Sequence, residues 1–252
     1  MAVAENPRSS PLQLRPLTSR SVVLSLLLGA HPPELPARNL VRVGEMFGIS
    51  ESALRVTLSR MVAAGDLHRA DGRYTLAQRL LDRQHRQDEA VRPATRDWDG
   101  GWEMAVVAVA GRSAADRAGL RADLTSLRLA ELREGVWLRP ANLTRPWPDQ
   151  LHALVRRFDC QPPEGPAELA RTLWDLDAWA ADAEELLALC GPATGPADKF
   201  TAAAALVRHL LRDPALPPAL LPPDWPGERL RRVYAAYRAE LADLGRTTIT
   251  DR

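Results

Sequence analysis

Two cysteines in 252 residues, Cys160 and Cys190, are too few for a disulfide framework and have no zinc-ligand spacing. Lysine is scarcer still: 32 of the 33 basic residues are arginine, and Lys199 lies in no phosphate-binding loop. The five histidines (His31, His68, His85, His152 and His209) are scattered, with no pair at i, i+4 to hold a metal. No Ser or Cys stands in a recognisable nucleophile motif. No apolar run approaches the ~18 residues of a membrane span, and no hydrophobic segment with a small-residue cleavage site follows the first arginines. These absences predict a soluble, cytoplasmic chain with no catalytic residues, cofactor or metal. Hydrophobic residues at 46% and charged residues at 26% are ordinary globular values, enough for two or three small domains.

The net charge of +1 hides an asymmetry. Residues 1–96 hold 14 basic and 9 acidic side chains, whereas residues 97–252 hold 19 and 23. A polyanion would therefore be met by the first third of the chain. Chance scatter of charge in an arginine-rich chain would look the same.

Periodicity divides the chain. Residues 1–18 are polar and proline-bearing, and read as a disordered lead-in. A helix from Ser19 carries Val22, Val23, Leu26 and Leu27 on one face and ends at Gly29 before Pro32-Pro33. A second helix is predicted over 37–47 and a third, capped by Ser50, over 51–64. Leu67-His68-Arg69, Ala70-Asp71-Gly72 and Arg73-Tyr74-Thr75-Leu76 read as a hairpin. Three helices and a hairpin over 19–77 spell a winged helix-turn-helix. A charged, exposed connecting helix and linker follow over 78–97.

From residue 98 the expectation is a ferredoxin-like α+β domain ending near 165. It has a strand over 104–110, a helix capped by Ser113, a single strand over 132–138 and a helix over 149–158, with the later strands not visible. Residues 166–252 read as a helical C-terminal domain, with one helix over 166–189 and others over 199–212 and 226–244. The fold class is α+β.

The third helix is the most informative segment. Leu54, Leu58 and Met61 lie at i, i+4 and i+7 and should face the first two helices. Ser52, Val56 and Ser59 then occupy the opposite face, edged by Arg55 and Arg60. A small hydroxyl-bearing face bordered by arginine suits a major groove, because arginine reaches guanine edges or phosphates and valine meets thymine methyls. Together with Ser50, Arg69 and Arg73 of the hairpin, these residues form the candidate interface with double-stranded DNA. A winged helix also binds protein, and that reading stays open.

Several blocks together are similar to the PaaX-type repressors of aromatic-acid (phenylacetate) catabolism. They are the recognition block Leu54–Met61, the wing Arg69–Leu76, Trp98-Asp99-Gly100-Gly101-Trp102, Leu120-Arg121 and Gly135-Val136-Trp137-Leu138-Arg139-Pro140. The most specific are Asp213-Pro214-Ala215-Leu216-Pro217 and Leu220–Gly227. The chain departs from the family in having Gly65-Asp66-Leu67 where Gly-Trp-Leu is usual, and in lacking the usual Gly-Phe near Arg128-Leu129. The resemblance implies a homodimeric repressor on a partly palindromic operator, released by an aryl-CoA thioester. Such an effector needs arginines for its phosphates, and Arg139 and Arg208 are the candidates. The middle domain also looks like the small ferredoxin-like nuclease of CRISPR adaptation. That enzyme needs a metal-binding Asp where this chain has Val109-Ala110-Gly111-Arg112, so metal-dependent nuclease activity is the disfavoured alternative. Asp116 reads as a first-turn helix acid.

Overall fold

In the computed structural model, residues 18–109, 111, 113–162, 165–191 and 195–246 are described. The expected lead-in, apart from Thr18, lies outside them, as do Ala110 and Arg112. The chain divides into two compact units that are not sequential. One joins residues 1–87 with 184–211 and 229–252, and the other joins 88–183 with 212–228.

In the first unit α1 (Ser19–Gly29) starts at Thr18, whose side chain accepts from the Ser21 amide. Strand β1 (Glu34–Pro36), absent from the sequence reading, precedes α2 (Ala37–Met46) and α3 (Glu51–Ala63). Its three residues carry too short a pattern to be read, and its order comes from pairing with β3 (Arg73–Leu76). Strands β2 (Leu67–Ala70) and β3 form the expected hairpin, and the sheet order is β1-β3-β2. The turn at Asp71 and Gly72 has φ of 49° and 73°, as a tight turn matched to the right-handed strand twist requires.

Val22, Val23, Leu27, Leu40, Leu54 and Leu58 fill one core with Tyr74 and Leu76 of the wing. Phe200 of α9 (Pro196–Leu210) joins that core and meets Phe47 edge-on at 5.0 Å. Helix α4 (Gln78–Val91) is charged, but it is not the wholly exposed connector expected. Leu80, Gln84 and Gln87 are buried, and Gln84 Nε2 donates to the carbonyls of Leu27, Leu28 and Ala30. One side-chain amide thus satisfies orphan carbonyls at the end of α1.

Asp66, in the Gly65-Asp66-Leu67 segment, is buried at 2% exposure. It pairs with Arg20 at 2.8 Å and with Arg79.

The second unit has strands β4 (Trp102–Val107), β5 (Ala130–Arg133), β6 (Val136–Pro140) and β7 (Val155–Cys160) in the order β5-β6-β4-β7, all neighbours antiparallel. With α5 (Ala114–Ser126) after β4 and the single turn α6 (Asp149–His152) before β7, this is the ferredoxin-like arrangement. Two expectations are corrected. The single strand over 132–138 is a hairpin, because Gly135 at φ 76° reverses the chain. The helix over 149–158 stops at His152, because Val155 onward pairs with β4, and tertiary pairing outweighs local pattern.

One sheet face packs Ala105, Trp137 and Val155 against Leu120, Leu124 and Leu151. The other packs Trp102 and Leu138 against Ala170, Leu216 and Leu220. The helix expected over 166–189 is two, α7 (Pro166–Leu173) and α8 (Leu176–Cys190), broken where Trp174 turns extended. Asp175 then accepts from the Ala178 amide at 3.0 Å. A short 3-10 helix (Pro218–Leu220) and α10 (Gly227–Arg246) are the last described elements. Trp225 stacks on Trp179 at 4.4 Å.

Candidate nucleic-acid interface

Helix α3 begins where Ser50 accepts from the Ala53 amide at 3.3 Å, its hydroxyl also within 3.2 Å of Ser52 Oγ. Leu54, Leu58 and Met61 are buried, so the helix has one fixed rotation about its axis. Gly44 of α2 lies close against it: a Cβ there would stand 3.2 Å from Leu54 Cδ2. The face turned outward carries Ser52, Arg55, Val56, Ser59 and Arg60, all exposed. Val56 is 50% exposed, an apolar side chain with no core to fill.

The charges on this face are held in readiness. Arg55 Nε donates to Glu51 Oε1 at 2.7 Å, one turn earlier. On the wing Arg73 pairs with Glu34 of β1, and Arg69 lies over the Tyr74 ring at 5.9 Å. Arg69 and Arg73 are both exposed. The missing strand β1 is therefore what the sequence reading lacked at this site, since it brings Glu34 against Arg73.

The two effector candidates fall in different units. Arg139 is fully buried at 0% exposure. Its guanidinium donates to the carbonyls of Pro140, Arg128 and Ala215 and to Asn142 Oδ1, and stands 3.4 Å from Glu103. Burial foremost, then Arg145, pushes its pKa down to about 9, against the pull of Glu103 and Asp213. A guanidinium so enclosed ties together distant segments of the second unit. Sequence spacing could not reveal this, because the partners come from β4 and from the 213–217 turn.

Arg208 is exposed on α9. It acts with Arg20 and Arg86 on Arg83, whose pKa is lowered first by burial and then by these like charges. This clustering of α1, α4 and α9 arginines is not visible from sequence.

Where the sequence reading weighed a nuclease, Ser113 and Asp116 form a reciprocal capping box, so Asp116 serves the helix start as expected. Among the described residues no group of three or more His, Cys, Asp or Glu is arranged to hold a metal. Also among them, no helix is long and apolar enough to cross a membrane.

A winged helix with an arginine-edged outer face, carried with a ferredoxin-like sheet, defines a class of multi-domain winged-helix proteins. Comparison with known proteins identifies the family. Residues 18–80 match the model of a PaaX-like protein, 95–162 the PaaX protein central Cas2-like domain, and 174–250 the PaaX-like protein C-terminal domain. The chain belongs to the PaaX family, a family of transcriptional regulators. No curated protein matches it. Among solved structures it is similar to an uncharacterized protein from Mycobacterium tuberculosis at 48% identity, with a TM-score of 0.80. That match covers 92% of this chain and 98% of the other.

Proposed function

We propose that this chain is a cytoplasmic, ligand-responsive repressor that binds a partly palindromic duplex operator as a homodimer. The observation that carries the reading is the outer face of α3. Small and apolar side chains bordered by Arg55 and Arg60 let a helix sit deep in a major groove, while Leu54, Leu58 and Met61 anchor it from behind. Arg69 and Arg73 add phosphate contacts from the wing, and Ser50, Ser52 and Ser59 supply short donors to backbone or base edges. Two-fold symmetry doubles the few base pairs that one recognition helix reads.

Release by an acyl-CoA-like effector, an aryl-CoA thioester in the sense of the family resemblance, follows if the ligand favours a dimer whose α3 helices no longer match successive grooves. For its phosphates, Arg208 with its arginine neighbours is the candidate. Nuclease activity is the lesser reading, since the strand β4 supplies no carboxylate at its end.

The test is fluorescence anisotropy on DNA from the protein's own promoter, with a panel of acyl-CoA thioesters and a salt series. Nanomolar, salt-dependent, sequence-selective binding that one thioester reverses is expected. Equal affinity for all duplexes, or none, overturns it, and Mg²⁺-dependent cleavage of the same DNA would establish the nuclease instead.

A further inference from the structure

Leu80, Gln84 and Gln87, at i, i+4 and i+7 of α4, are buried, and Gln84 ties the helix to the end of α1. That fixes the rotation of α4. A second set at the same spacing, Arg79, Arg83 and Arg86, is exposed. Arg20 at the start of α1 joins this stripe through Asp66, which both Arg20 and Arg79 reach. Arg208, in the last turn of α9, joins it at Arg83: the charges acting on that guanidinium are those of Arg20, Arg86 and Arg208, with no acid to offset them. Among the described residues Asp66 is the one carboxylate paired with any of these arginines. Asp82, beside Arg83 in the chain, accepts from Gln78 at 3.0 Å. Like charges gathered around one shared carboxylate build a positive field that a further anion would relieve.

We propose that this arginine surface of α1, α4 and α9 binds a multiply charged phosphate anion, and that the bound anion acts on the DNA-binding face through Asp66. Guanidinium forks match phosphate oxygens, and several of them together suit a group of high charge. The wing sets the surface apart from a duplex held by α3. Asp66 precedes the Leu67–Leu76 pair at the base of the hairpin, whereas Arg69 and Arg73 flank the Asp71-Gly72 turn at its tip. At about 3.4 Å per residue, base and tip lie roughly 10 Å apart. That separation favours a small ligand over the DNA that the tip touches.

Asp66 stands where the recognition helix meets the wing. Its amide donates to the Met61 carbonyl of α3, and its own carbonyl accepts from the Ala77 amide, each at 2.9 Å. Arg20 and Arg79 are both more than half exposed, so an arriving phosphate competes with the buried carboxylate for their outer nitrogens. Drawing either arginine away leaves Asp66 less compensated, a costly state for a buried charge, and the cost falls on the backbone that joins α3 to the wing. Anion and operator then oppose each other within a single subunit. The binding stands on the arginine surface alone, and its effect on DNA rests on the regulator reading above.

The test uses the full-length chain at constant ionic strength. Calorimetric titration with pyrophosphate, ADP and coenzyme A should detect binding, weakened about tenfold in Arg83→Gln and in Arg208→Gln, with circular dichroism confirming both folds. Asp66→Asn, which releases Arg20 and Arg79, should instead tighten it. Pyrophosphate bound as tightly as the other two assigns a free oligophosphate, and tighter binding of ADP or coenzyme A assigns phosphates borne on a nucleotide. Binding of none of the three, or binding unchanged in Arg83→Gln, overturns the proposal. In anisotropy the anion should lower operator affinity several-fold more in wild type than in Arg83→Gln, and equal lowering overturns the link through Asp66. If the operator binds and no anion does, the site is wrong and the regulator reading stands. If the anion binds at these arginines in a chain with no DNA affinity, the site is right and that reading fails.

Discussion

Arg55 and Glu51 form an ion pair across one turn of α3, with Arg55 Nη2 2.6 Å from Glu51 Oε1 and both side chains more than half exposed. A surface pair of this kind is worth little by itself. It holds the guanidinium along the helix, and in the proposed interface a base edge or phosphate would compete with Glu51 for it.

Replacing Arg55 by alanine should therefore cost about 1–3 kcal/mol of operator affinity and relax base choice at one position. Glu51→Gln should act in the opposite sense, strengthening binding to all duplexes and steepening the salt slope. Anisotropy titrations on operator and scrambled DNA check both. Equal loss on the two DNAs in Arg55→Ala would reduce this arginine to a phosphate contact.

On the wing, Arg73→Ala should weaken binding without regard to sequence and lower the salt slope by about 1. The pair with Glu34 predicts more: Glu34→Gln, which frees Arg73, should tighten non-specific binding. An unchanged slope in Arg73→Ala would remove the wing from the interface.

Gly44 links the fold to the interface. A valine there meets Leu54 and should cost about 1–3 kcal/mol of stability, as overpacking does, while tilting α3 away from α2. Thermal unfolding and operator binding should fall together. Normal stability with normal binding in Gly44→Val would show that the two helices tolerate a wider spacing.

In the second unit Glu103 is buried among Arg139, Arg145 and Arg157 and accepts from Trp147 Nε1 at 3.3 Å. Removing one partner of a buried ionic cluster leaves the others uncompensated, so Glu103→Gln or Arg139→Ala should lose about 3–5 kcal/mol. With Arg139 at a pKa near 9, the folded protein sheds its proton well before the unfolded chain does. Above about 9 the unfolded state therefore binds more protons, and this group makes stability rise with pH there. Denaturant melts at pH 8 and 10 should show wild type gaining stability relative to Arg139→Met as the pH rises.

The winged helix was legible because its signals are local. The i, i+4, i+7 spacing of Leu54, Leu58 and Met61, the Ser50 cap and the Asp71-Gly72 turn each act within a few residues, and the structure has all three. The motif Asp213–Pro217 was legible as a pattern but not as a cause. Its reason is the turn in which Asp213 Oδ1 accepts from the Ala215 amide and the Ala215 carbonyl receives Asn142 Nδ2 and Arg139.

From residue order alone came the α+β class, the rotation of α3 and the identity of the side chains it turns outward, since helical period and capping are properties of neighbouring residues. Only the tertiary structure decided that β1 braces the wing, that Val155–Cys160 is a strand, that Phe200 enters the winged-helix core and that Arg139 is an interior ion. Each of these depends on partners far apart in the chain, whose meeting is set by packing and pairing energies that no local pattern encodes.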